Sequence, residues 1–109
     1  HCIKETQGWE LQDDVAALCK IKGGKVIEKP GFGIKNLPQI ITDNYPDGLS
    51  EIHLLGLCTD ICVIVNAMLL KAYFPEIPIY VDSSCCAGVT PEGHENALSA
   101  MKACQINII

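Results

Sequence analysis

Arginine is absent. The basic side chains are eight lysines set against thirteen acids, for a net charge of −5. Nucleic-acid binding wants a clustered basic surface and the bidentate fork of arginine, so the sequence argues against that class. No apolar run approaches the eighteen or more residues of a membrane-crossing helix, and no signal-peptide pattern is present. Neither G-x-G-x-x-G nor G-x-x-x-x-G-K-[ST] occurs, which leaves a dinucleotide or phosphate loop unsupported; Gly31-Phe32-Gly33 alone is too weak to count. There is no C-x-x-C pair and no zinc-finger spacing, so a structural zinc site is not expected. Repeats, linkers and low-complexity tracts are missing too. One domain is expected over residues 1–109.

What is present points to a buried globular interior. Hydrophobic residues make up 49% of the chain. A length of 109 residues is short for an α/β enzyme but enough for one core, and the sequence opens with His rather than Met. The seven cysteines are odd in number and form no paired framework: Cys85 and Cys86 are adjacent, and Cys58 and Cys62 are four apart. Reduced thiols in a cytoplasm are the simplest reading.

Strand and helix signals alternate along the chain. Leu11, Val15, Leu18 and Cys19 recur at helical spacing, predicting a short amphipathic helix from Leu11 to Lys20 that Gly23-Gly24 stops. Lys25 to Glu28 reads as a short strand ending at Lys29. Leu37, Ile40, Ile41 and Tyr45 predict a helix capped by Asn36, with Pro38 in its first turn. Glu51 to Leu57 is a strand, then a helix apolar nearly all round runs to Tyr73. Ile77 to Asp82 reads as a strand, with Pro78 tolerated only near its start or on an edge. Thr90-Pro91-Glu92 opens a helix lined by Ala97, Leu98, Met101 and Cys104, and Ile106 to Ile109 is a closing strand. Such alternation predicts a mostly parallel sheet covered by helices on both faces. Ligands of such sheets sit at strand carboxyl ends, where Lys29, Cys58 and Asp82 are predicted to fall.

The stretch Gly56-Leu57-Cys58-Thr59-Asp60-Ile61-Cys62-Val63 is the chemical centre of the chain. Thr59 is the natural helix N-cap, which puts Cys62 third in the first turn. There it lies among unpaired N–H groups at the positive end of the helix dipole, a place where cysteines become nucleophiles. The competing reading is a cysteine that merely fills the core as a small hydrophobe.

The same octet resembles the G-x-x-T-D-x-C-V signature of the isochorismatase-like cysteine hydrolases, a superfamily that includes nicotinamidases. His1-Cys2-Ile3-Lys4, with Thr6 and Gly8, is similar to the H-C-x-x-G-T-x-G segment of nicotinamidases, with Glu5 in place of a glycine. Lys29 falls after a short predicted strand, as the family's lysine does. Val81-Asp82 and Ala87-Gly88-Val89-Thr90 resemble the stretch before the family's last helix.

The resemblance implies a three-layer, Rossmann-like α/β fold lacking its N-terminal strands, with residues 1–109 the C-terminal portion of one such domain. It implies a hydrolase of a small amide in which Cys62 attacks the carbonyl carbon and forms a thioester. It implies Lys29 as the second catalytic residue. It also implies an oxyanion hole made by the backbone amides of Cys58 and Cys62 and shaped by a cis peptide between Leu57 and Cys58. The family's catalytic aspartate stands on a first strand to which no residue here corresponds. Asp60 is expected to serve the helix start, and Asp82 a local hydrogen bond. His1 matches a metal-binding histidine, so zinc or iron is conditional on upstream ligands. His53 and His94 read as surface or strand polar residues. The implied partners are a small-molecule amide, the chain's own N-terminal segment and further copies of itself. A catalytically silent binding or scaffold subunit, and a thiol redox protein using Cys58/Cys62 or Cys85-Cys86, are the rival readings.

Overall fold

The computed structural model describes residues 2–109. Its helices are α1 (Asp13–Lys22), α2 (Leu37–Asn44), α3 (Ile64–Tyr73) and α4 (Pro91–Ala103). The strands are β1 (Ile52–Leu57), β2 (Ile79–Ala87) and β3 (Asn107–Ile108), joined as one parallel sheet in the order β1-β2-β3. A 3-10 turn covers Gln7–Trp9 and a wide π turn covers Thr59–Val63. No helix among the described residues is long and apolar enough to cross a membrane.

Parallel neighbours require crossovers, and α3 and α4 supply them. Both pack on the same sheet face and against each other. Leu70 of α3, Ile79 and Val81 of β2, Met101 of α4 and Ile106 before β3 are fully buried between them. The alternation of β1 turns Ile52 and Leu54 toward this core. On the opposite face the His53 ring stacks on Tyr80 with centroids 4.8 Å apart, and Leu55 and Leu57 are exposed.

Several boundaries differ from those predicted. α1 begins two residues late, because the Gln12 side chain caps it by accepting from the amides of Asp14 and Val15 at 3.0 and 3.1 Å. It ends on Gly23, whose φ is +67°. None of its residues is buried. Residues 24–29 join no sheet, so the strand expected at Lys25–Glu28 is not formed. Asn36 precedes α2 but makes no side-chain cap bond.

β2 starts after Pro78 and runs on to Ala87, which puts Asp82 inside the strand rather than at its end. The register explains this. Leu54 pairs with Val81 but Gly56 with Cys86, so Leu55 stands opposite the bulged segment 82–85. Gly56 takes φ +125° there, a conformation that side chains disfavour. Thr90 caps α4 as expected, its hydroxyl accepting from the Gly93 amide at 2.9 Å.

Candidate active site

Cys62 stands on the π turn that leaves the carboxyl end of β1. The carbonyl of Cys58 anchors this turn, accepting from the amides of Ile61 at 3.1 Å and Val63 at 3.0 Å. The peptide bond between Leu57 and Cys58 is cis. The expected cap is corrected here. Cys58, not Thr59, holds the N-cap position, and the α-helix proper begins only at Ile64. Thr59 is fully buried, and its hydroxyl is hydrogen-bonded to Nδ1 of His94 at 2.8 Å. A threonine at this place looks like a cap in sequence because the wider turn, with its i to i+5 bonding, leaves no sequence signal of its own.

Lys29 comes to this turn from a segment with no regular structure. Its ammonium donates to the Gly31 carbonyl at 2.9 Å and to Cys62 Sγ at 3.3 Å, across 33 residues of chain. Asn66 holds that segment down. Its side-chain amide donates to the carbonyls of Phe32 (3.2 Å) and Cys62 (2.9 Å), and its oxygen accepts from the Ile34 amide at 2.9 Å. Gly33 lies so close to α3 that a Cβ would come within 2.7 Å of Val65 Cγ1. The Lys29 loop and the Cys62 turn are therefore one packed unit.

Beside this pair lies an open cavity of about 130 Å³, lined by Leu54, Leu55, Leu57, Cys62, Val63 and Asn66. Cys62 is half-buried and faces it rather than being enclosed by the core. Cys58 is half-buried as well, and all seven cysteines are free thiols. Burial pushes the Cys86 thiol above its usual value, so that sulfur is held as a neutral thiol.

The acids lie elsewhere. Asp60 accepts from the Val89 amide at 3.1 Å and so joins the turn to the start of α4. Asp82 accepts from the hydroxyl and amide of Ser84 at 2.7 and 3.2 Å, and the side-chain bond in particular lowers its carboxyl below the usual range. Among the described residues Lys4 and Glu28 form an ion pair at 3.0 Å and the His53 ring is hydrogen-bonded to Glu51 at 3.1 Å, so no carboxylate reaches Lys29. His1, named above as a metal ligand, lies outside the described residues. Among those described, no group of three or more His, Cys, Asp or Glu side chains could hold a metal ion. These residues do not fit a divalent-ion site by themselves.

Sequence reading missed two residues. Asn66 had a signal: it is the one polar side chain between Ile61 and Leu70, and a helix so apolar keeps an amide only where it has partners. His94 had none, since a histidine near a helix start is unremarkable until Thr59 is found beside it.

The fold matches solved nicotinamidases. That of Bacillus subtilis aligns at a TM-score of 0.82 with 29% identity, covering 99% of this chain and 61% of its own. That of Staphylococcus aureus aligns at 0.80 with 28% identity, covering 99% and 69%. A pyrazinamidase of Pyrococcus horikoshii, solved in complex with zinc, aligns at 0.63 with 24% identity over 79% and 47%. This chain thus spans about three fifths of the length of the Bacillus protein. No curated protein matches it. The isochorismatase domain matches from residue 1 to residue 109, and the chain belongs to that family.

Proposed function

We propose that this chain carries the nucleophile of a cysteine-dependent hydrolase acting on a small amide. The observation behind it is the 3.3 Å approach of the Lys29 ammonium to Cys62 Sγ, on the edge of an open cavity. An ammonium at that distance stabilises a sulfur anion, the form that attacks.

In this reading Cys62 Sγ bonds to the amide carbonyl carbon. The negative charge gathers on the carbonyl oxygen, where the amides of Cys58 and Cys62 receive it. Collapse of that intermediate breaks the C–N bond. The amine leaves as ammonia after taking a proton, and the acyl group stays on sulfur as a thioester. Water then attacks the thioester carbonyl, releasing the carboxylic acid and restoring the thiol.

The proton needs a carrier, and the described residues offer no carboxylate at the pair. An aspartate on a strand added beside β1 is the group this reading requires. The free edge of β1 and the exposed Leu55 (64%) and Leu57 (69%) favour such an addition. Further copies of the chain, a cytoplasmic setting with reduced thiols, and a zinc or iron ion held by ligands outside the described residues belong to the same reading. No step above uses the ion.

Nicotinamide is the first substrate to try, since the Bacillus and Staphylococcus relatives are nicotinamidases. The test is ammonia release by residues 1–109 joined to the part of the Bacillus enzyme that this chain does not cover. Cys62→Ala should lower turnover by at least about 1,000-fold, and Lys29→Met nearly as far. The 109 residues alone should release nothing above background. Turnover that survives Cys62→Ala would contradict the proposal.

A further inference from the structure

Thr59 is the only polar residue that is fully buried among those described, and its hydroxyl meets Nδ1 of His94 at 2.8 Å. A buried hydroxyl without that partner would stand unpaired in the core. His94 belongs to the second turn of α4, 35 residues away, and α4 packs directly on the Cys62 turn. The second attachment between the two elements is Asp60, whose carboxylate accepts from the Val89 amide at 3.1 Å just ahead of α4.

Both attachments depend on close backbone approach. A Cβ on Gly93 would collide with the Asp60 carboxylate, and a Cβ on Gly88 would lie 2.8 Å from the His94 amide nitrogen. Consecutive residues of the turn, Thr59 and Asp60, are thus fastened at two points, to α4 and to the residue just ahead of its cap, three and two residues before the sulfur. On its other flank the turn is fastened by Asn66 to the Lys29 loop. The π turn has no side-chain cap of its own. Its position therefore rests on these outside partners.

We infer that His94 is a positioning residue for Cys62, acting through Thr59 to hold the nucleophile's turn in register with Lys29. The inference rests on the hydrolase reading of Cys62. His94 touches neither Lys29 nor the sulfur in any hydrogen bond of the structure. Its effect passes through the hydroxyl.

The readout is the alkylation rate of individual cysteines by iodoacetamide, resolved by peptide mass spectrometry on the 109-residue chain at fixed pH. Replacing His94 by Leu keeps bulk but removes the bond, and Cys62 should slow by roughly tenfold, because small misplacements of a reacting group carry large rate penalties. Cys104, exposed beyond α4, should be unchanged. His94→Asn offers an amide atom where Nδ1 stood and should return Cys62 to within about threefold of its original rate, since that atom restores the partner that the hydroxyl needs. Thr59→Val deletes the same bond from the other side with little change in shape. It should slow Cys62 as much as His94→Leu, and the double variant should be no slower than either single one.

Leu and Asn behaving alike would overturn the inference, as would an unchanged Cys62 rate in Thr59→Val. Should His94→Leu fail to fold, Thr59→Val decides alone. If Cys62 is no faster than Cys104 in the unaltered chain, the hydrolase reading itself falls and this one with it. If Cys62 is fast but indifferent to both variants, only the role of His94 falls.

Discussion

At the scale of single residues, Asn66 ties together what the chemistry needs. Its three hydrogen bonds join the Cys62 carbonyl to the loop that delivers Lys29. Asn66→Ala should destabilise the fold by about 1–3 kcal/mol in urea titration, since it removes three hydrogen bonds, two of them half-buried, worth about 0.5–1.5 kcal/mol each. Asn66→Asp should do at least as much harm, since a carboxylate cannot donate to the carbonyls of Phe32 and Cys62. An Asp variant as stable as the original would contradict this account of the loop. Asp82 makes a prediction about pH. Its folded carboxyl lies below its unfolded value because the Ser84 hydroxyl bonds to it. The stability it supplies is therefore complete above about pH 4, the unfolded value, and disappears as pH falls through the lower folded one. Asp82→Asn should flatten the acid limb of stability against pH and leave the shape near neutrality unchanged. An acid limb identical in the two proteins would show that the Ser84 bond contributes nothing.

At the scale of elements, the sequence announced α4 and β1 clearly and the N-terminal third poorly, for physical reasons. α4 carries its own start signals in Thr90 and Pro91 and a buried stripe of Ala97, Leu98 and Met101, so local chemistry and packing agree. Deleting that packing by Met101→Ala or Ile79→Ala should cost about 2–5 kcal/mol, since both side chains are fully buried. A loss under 1 kcal/mol by thermal or urea unfolding would mean the core lies elsewhere. The segment Lys25–Glu28 has strand-like residues but no neighbouring strand here, and a ladder cannot form from one side alone. The extension of β2 past Asp82 was hidden for the opposite reason, because Ser83 to Cys86 looks like loop chemistry and only the neighbouring β1 holds it extended. The pairing of Cys62 with Lys29 was legible as a resemblance. The π turn, the Asn66 clasp and the His94 contact depend on neighbours far along the chain and left little trace in local pattern.

At the scale of the whole molecule, too much surface is exposed. The chain presents 7724 Å², whereas a folded monomer of this mass is expected to present about 5,900 Å². The difference, about 1,800 Å², is roughly twice the ~800 Å² that one partner contributes to a standard protein–protein interface. The exposed apolar side chains include Leu55 and Leu57 on the open face of β1, and Val15, Leu18 and Ile21 on α1. No residue from Cys2 to Asn36 is buried, and the radius of gyration is 14.2 Å against about 13 Å for a compact chain of this length. On its own, this chain should bind a dye specific for apolar surface and associate with itself at micromolar concentration, as exposed apolar patches and free strand edges do. Amides of α1 should exchange with solvent faster than those of α4. A strictly monomeric, dye-silent chain in sedimentation and fluorescence would contradict the proposal that another strand completes the sheet.

The central claim is that the Cys62 sulfur is a nucleophile made so by the Lys29 ammonium 3.3 Å away. Site-resolved alkylation at neutral pH, run on the original chain and on Lys29→Met, examines it with no assumption about substrate. Cys62 should react at least about tenfold faster than exposed Cys104, and Lys29→Met should abolish that lead, as expected when a cation activates a thiol. Equal rates for the two cysteines, or a lead for Cys62 that survives the loss of Lys29, would contradict it.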